Sequence, residues 1–242
     1  MQKYLYEDLY KLEDKHWWHI SKRRNAILLL KNFISKQKPN ILDIGCGTGK
    51  NIEELSKIGK TTGIDNSKDA IFYCHKRGIK NVSIANADST GFKSNSFDIV
   101  TMFDLLEHTN DKKTLKETSR ILKPNGLLVI TVPAFESLWS QWDVVLHHKR
   151  RYRKQTLISI LKKNNFNILK ISYMYSFLFL PAYLIRKFKS KISKKNYSSD
   201  FKINSPIINK FMLNLSILEM YFIKSSILPF GTSIICIAKN EK

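Results

Sequence analysis

Acidic residues are scarce. Twenty Asp and Glu stand against forty-one Lys and Arg, which leaves a net charge of +21 on 242 residues. Such an imbalance suggests polyanionic company (nucleic acid, anionic lipid or a phosphorylated substrate), although a lysine-rich surface alone would also raise the total. Cysteine is scarcer still. Cys46, Cys74 and Cys236 are odd in number and far apart, which excludes a disulfide framework and points to a reducing compartment. None pairs with another at a metal-binding spacing. Long apolar runs are missing as well. The longest uncharged stretch considered, Ile171 to Ile185, has fifteen residues, fewer than the roughly twenty that a bilayer-spanning helix needs. Met1 to Asp8 has no apolar core, so no secretion signal is expected and a cytoplasmic location is. No internal repeat is found. Hydrophobic residues still make up 43%, enough for the core of one large domain or one and a half.

What glycine there is clusters. Ile41 to Ile44 has the length and composition of a buried strand, Gly45, Gly47 and Gly49 alternate after it, and Ile52 and Leu55 begin a helical face. A strand, a glycine turn and a helix together present a ligand to a helix N-terminus. The glycines let the backbone approach that ligand and take angles a side chain forbids. A dinucleotide-binding turn would have its third glycine where Lys50 stands, so the observed D-x-G-x-G-x-G argues for another ligand.

Strands are predicted at 61–65, 82–85, 97–102, 127–133, 166–173 and 233–238, with helices at 67–77 and 154–164 and a Lys-Pro-Asn-Gly turn at 123–126. Residues 3–36 read as helical, interrupted by His16-Trp17-Trp18-His19. Alternation of strands and helices up to Pro133 predicts a parallel sheet with right-handed crossovers.

The glycine turn, Asp65, Asp88, the Glu107-His108 pair and the R-x-L-K-P-x-G phrase from Arg120 to Gly126 together resemble the class I methyltransferases that use S-adenosyl-L-methionine (SAM). The likeness covers about 16–170 and the last strand. It implies an α/β fold, a doubly wound Rossmann-like seven-stranded sheet in the order 3-2-1-4-5-7-6. An N-terminal helical lid would occupy 1–36, the SAM-binding domain 37–173, a helical insertion or cap 174–230, and the final strand 231–242. SAM is the cofactor so implied. Asp43 would sit near its amino group, with Gly45, Cys46, Gly47 and Gly49 forming the turn. Asp65, followed by Asn66, would accept both ribose hydroxyls. Asp88 would accept from the adenine amino group, beside Ser89. Phe103, just past the fourth strand, would line the same crevice. Trp18 would belong to a lid closing over the donor, and Arg23 would reach the methionine carboxylate.

Two further groups are expected to meet at that crevice. The first is Asp104-Leu105-Leu106-Glu107-His108, after the fourth strand; the second, from Trp139 to Tyr152, follows the fifth. His108 or His148 could serve as general base toward an acceptor hydroxyl. The other use of Asp104, Glu107, His108 and His148 is to hold a divalent metal, and relatives with an E-x-x-E-H phrase and a metal suggest it; no metal is the favoured expectation. Glu107, Trp139, Asp143 and Tyr152 are expected to contact substrate. Arg150 and Arg151 suit a phosphate or carboxylate on it.

The insertion joins an apolar stretch, 171–185, to a basic cluster at Arg186, Lys187, Lys189, Lys191, Lys194 and Lys195. A second amphipathic segment, 207–224, carries Ile208, Phe211, Leu215, Leu218 and Phe222. A substrate cap or dimer face comes first among their uses, and peripheral contact with an anionic membrane second. A small-molecule acceptor, anionic, sugar-like or lipid-linked, is therefore expected. RNA or DNA methylation ranks lower, because no N-P-P-Y-type phrase or separate nucleic-acid module is found. The non-enzymatic alternative is a SAM-binding, membrane-associated protein without chemistry.

Overall fold

The computed structural model describes residues 3–189 and 205–242. Its first two helices are α1 (Lys3–Leu12) and α2 (Trp17–Leu30). Then β1 (Asn40–Ile44), α3 (Lys50–Leu55), β2 (Lys60–Asp65), α4 (Lys68–Lys76), β3 (Val82–Ile84) and β4 (Phe97–Phe103) alternate. They are followed by α5 (Asp111–Ile121), β5 (Leu122–Pro133), α6 (Gln141–Val145), α7 (Lys154–Lys162) and β6 (Phe166–Met174). Two helices, α8 (Ser176–Lys189) and α9 (Pro206–Ser225), precede β7 (Ser233–Asn240).

The strands make one seven-stranded sheet in the order β3-β2-β1-β4-β5-β7-β6. The first five are parallel, and β7 runs antiparallel between β5 and β6. This is the expected α/β order. The central strands are apolar on both faces because helices cover both. Leu42, Val100, Leu128 and Ile130 face α5 and α7. Ile41, Ile99 and Val129 face α2 and α9. The Lys-Pro-Asn-Gly turn is corrected: 123–126 belongs to β5 as an irregularity, where pairing to β4 jumps from Phe97–Leu122 to Ile99–Leu127. Asn125 supplies the left-handed residue (φ 61°) that the jump requires.

Hydrogen bonds tie α9 to the rest. Buried Glu219 accepts from the backbone amides of Tyr175 and Ser176 at the end of β6. Asn209 accepts from Trp17 N at 2.8 Å and donates to Lys15 O at 2.9 Å, at the α1–α2 junction. Among the described residues no helix is long and apolar enough to cross a membrane. Of the basic cluster, Lys191, Lys194 and Lys195 lie outside the described residues.

Candidate active site

A cavity of about 970 Å³ lies over the C-terminal ends of β1, β2 and β4. Parallel strands end there with unpaired backbone groups, which is why ligands bind at that edge. Leu5, Leu9, Trp17 and Trp18 of α1 and α2 roof it, and Leu178, Pro181, Ala182 and Ile185 of α8 close one side.

At one end the glycine turn forms the floor. Gly45 has φ 72°, a backbone that side chains rarely adopt, and a Cβ there would lie 2.6 Å from Leu105 Cδ1, so Leu105 would also have to move. Gly47 lies beneath Leu9 of α1. Asp65 Oδ2 accepts from Gly47 N at 3.0 Å and Oδ1 from Ser67 N at 2.9 Å, which pins the carboxylate against the turn. Burial raises its pKa. Cys46, Asn66, Asp88 and Phe103 also line the cavity. Trp18 does too, with Lys22 Nζ 4.5 Å from its ring centroid. Arg23 lines the cavity while donating to Glu13 O at 3.3 Å.

Three residues named for the donor end lie elsewhere. Gly49 (φ 93°) is the N-cap of α3, and its Cα faces Ile79 and Cys74. Ser89 N closes a turn to Asn86 O at 3.2 Å. Asp43 is fully buried between β1 and β4, where Thr101 Oγ1 donates to its Oδ1 at 2.5 Å. Burial pushes the Asp43 pKa up to about 7. A carboxyl whose folded pKa lies above its unfolded value, near 3.9, loses stability as pH climbs between the two. Asp43→Asn is therefore expected to raise stability by on the order of a few kcal/mol at pH 8 and to change little at pH 4. Calorimetric melting of both proteins at the two pH values measures it.

The other end holds the acids and histidines. Asp104 takes a left-handed backbone (φ 52°), accepts from Lys22 Nζ and receives Thr131 Oγ1 at 3.1 Å. Burial opposes its charge, but the Lys22 ammonium holds the carboxyl below the usual range. Glu107 is fully buried, and among the described residues neither carboxyl oxygen has a hydrogen-bond partner. Burial and the Asp104 charge push its pKa well up. His108 is pushed down to about 4 by burial and by His148, so it is neutral near pH 7. The two imidazoles stand edge to face, centroids 4.7 Å apart. His148 Nδ1 meets Asp143 Oδ1 at 2.8 Å, a bond that fixes the ring and directs the other nitrogen.

The expected convergence of the two groups is observed, but several of their members act behind the cavity. Asp143 is 1% exposed and receives Arg151 Nε at 2.8 Å and Nη2 at 2.9 Å. Burial works against its ionisation, yet His148 and Arg151 hold it far below the usual carboxylate range. Arg151 is thereby engaged, and Arg150 pairs with Asp111 at 2.5 Å. Tyr152 is buried, its hydroxyl donating to Leu106 O at 3.4 Å. Trp139 ends the 136–138 turn. Trp139, Asp143, Arg150 and Tyr152 do not line the cavity, which corrects their assignment to substrate. Of the four residues weighed for a metal, Glu107, His108 and His148 bring donor atoms within 4.8 Å of one another. Asp104 is held by Lys22 instead. Sequence reasoning missed Lys22 and also Glu13, which takes Thr48 Oγ1 and pairs with Arg77 at 2.6 Å beside the glycine turn.

Comparison with known proteins agrees with this fold. A methyltransferase-domain family model matches residues 42–130. The chain is 30% identical to a ubiquinone biosynthesis O-methyltransferase of Pelagibacter ubique over 58% of this chain and 68% of that protein. It is 30% identical to a probable tRNA methyltransferase 9B of Mus musculus over 53% of this chain but 28% of that one. A SAM-dependent methyltransferase structure from Archaeoglobus fulgidus superposes with a TM-score of 0.58 at 23% identity, over 91% of this chain and 94% of that one.

Proposed function

This chain belongs to the class I SAM-dependent methyltransferases, and from that premise we propose that it methylates a hydroxyl of a small acceptor with an apolar portion. The observation that carries the proposal is the Asp143–His148 pair, whose imidazole lines the same cavity as the glycine turn with the carboxylate buried behind it. Bound SAM supplies an electrophilic methyl group on a sulfonium.

The chain's own residues do the rest. The Asp65 carboxylate and the glycine turn hold the donor's sugar, with Asp88 toward its base. The α1–α2 roof and α8 exclude water, which keeps the nucleophile desolvated and in line. His148 Nε2 takes the acceptor's proton, while Asp143 holds Nδ1 and stabilises the imidazolium that forms. Neutral His108 orients the hydroxyl. Leu178, Pro181, Ala182 and Ile185 give the acceptor an apolar wall.

The same cluster suits a second use, because Glu107 has two unpartnered oxygens beside two imidazoles. Glu107, His108 and His148 would then hold a divalent cation that lowers the pKa of the acceptor hydroxyl. Exhaustive dialysis against a chelator separates the two: unchanged turnover supports the histidine base, and loss restored by a divalent salt supports the cation. The overall test is a SAM-turnover screen against phenols, quinone precursors and polyprenyl-linked sugars, with unmodified tRNA as a separate arm. Methylation of tRNA alone, or silence across the small acceptors, would overturn the proposal.

A further inference from the structure

The outer faces of α8 and α9 are anomalous. α9 buries Ser216, Glu219, Met220 and Ile223 against the protein. Its opposite face should be polar. Instead Ile207 is 81% exposed, Phe211 62%, Leu218 55% and Phe222 58%, at helical spacing along one stripe. α8 repeats the pattern with Leu180, Leu184 and Phe188, four residues apart and all exposed. Large apolar side chains left exposed in stripes on two helices consecutive in the chain mark a contact surface.

Charge says what covers it. No Asp or Glu occurs in α8, and the one acid of α9, Glu219, is buried against Tyr175 and Ser176. The charged groups these helices expose are cationic, Lys187, Lys210 and Lys224, while Arg186 turns to the cavity and donates to Leu138 O. In sequence, the residues joining them add Lys191, Lys194, Lys195 and Lys202 against Asp200. A second copy of this chain would meet the same cations face to face, because a two-fold contact pairs a patch with itself. An anionic lipid surface complements both features, taking the aromatic and aliphatic side chains into its interface and the lysines among its phosphates.

We propose that the outer faces of α8 and α9 dock this protein on anionic phospholipid bilayers. Ile185 is both exposed and part of the cavity wall, so α8 leads from the docked face to the site. Asn209 of α9 holds the α1–α2 junction that roofs the same cavity. A membrane-resident acceptor would enter by that route; this clause alone rests on the methyl-transfer proposal.

The test is sedimentation of the full-length protein with vesicles of phosphatidylcholine alone or of equal parts phosphatidylcholine and phosphatidylglycerol. Binding to the anionic vesicles is expected to be about tenfold tighter or more, and to weaken with salt. The triple variant Phe211→Ser, Leu218→Ser, Phe222→Ser is expected to lose about tenfold in binding. S-adenosylhomocysteine titrated into the variant serves as the measure of folding. Should the triple variant fail that measure, Lys210→Gln with Lys224→Gln decides, with a several-fold loss expected. Equal binding to both vesicles, unaltered binding by the folded variants, or reversible self-association that the serine substitutions abolish would each overturn the proposal. Vesicle binding is read without methyl transfer, so an inactive preparation that still docks counts against the proposed reaction only.

Discussion

Replacing Asp65 by alanine is expected to weaken S-adenosylhomocysteine and SAM binding by about a hundredfold, read by isothermal calorimetry. A hydrogen bond to a charged group contributes roughly 1.5–3 kcal/mol, and each tenfold in affinity corresponds to about 1.4 kcal/mol. Two ribose hydroxyls on one carboxylate therefore account for the loss. A second effect adds to it. Asp65 also receives the Gly47 amide, so the alanine variant frees the glycine turn that the donor needs preformed. Burial already works against the ionised carboxylate, so the substitution should cost binding far more than folding. An alanine variant with intact affinity would remove Asp65 from the donor site.

The second large effect concerns turnover. His148→Ala is expected to lower kcat by about 10²–10⁴, the range for a positioned general base, with S-adenosylhomocysteine affinity within about twofold of wild type by the same calorimetry. The ring belongs to the segment after β5, whereas the glycine turn follows β1. The companion change must be chosen with care. Asp143→Ala would strand the Arg151 guanidinium, 8% exposed, without its carboxylate. Breaking a buried pair in that way costs about 3–5 kcal/mol, so lost activity there would be confounded with lost fold. Asp143→Asn keeps the shape and an oxygen for Arg151 while weakening the orientation of His148. A full-rate His148→Ala enzyme would remove the base and leave positioning or a metal to account for the rate.

The sheet was legible because buried parallel strands announce themselves. Ile41 to Ile44 and Leu127 to Val132 are largely apolar runs, broken only by Asp43 and Thr131, whose alternate residues serve opposite layers. The glycine turn was legible for a related reason, since a backbone with positive φ narrows the choice of residue. Polar pairing across distant segments was not. Nothing in Arg150-Arg151 says that Asp111 and Asp143 will consume both guanidinium groups. Nor does Asp104 reveal that Lys22, 82 positions away, will neutralise it. Asp43 illustrates the same limit from inside a motif: its place in the strand was readable, while its enclosure beside Thr101, outside the cavity, depended on β4. α8 and α9 carried an apolar pattern in sequence, but which face stays uncovered depended on how Glu219 and Asn209 fasten α9.

The two ends of the cavity are built by different stretches of chain. The donor end draws on the loops after β1, β2 and β3, whereas the acids and histidines come from the segments after β4 and β5 and the apolar wall from α8. Drift in the later stretches can therefore reshape what is accepted without disturbing what is delivered. Over evolutionary time that separation allows one scaffold to serve many chemistries, and a chimera exchanging only the post-β5 segments should change its taste in acceptors while keeping its hold on the donor.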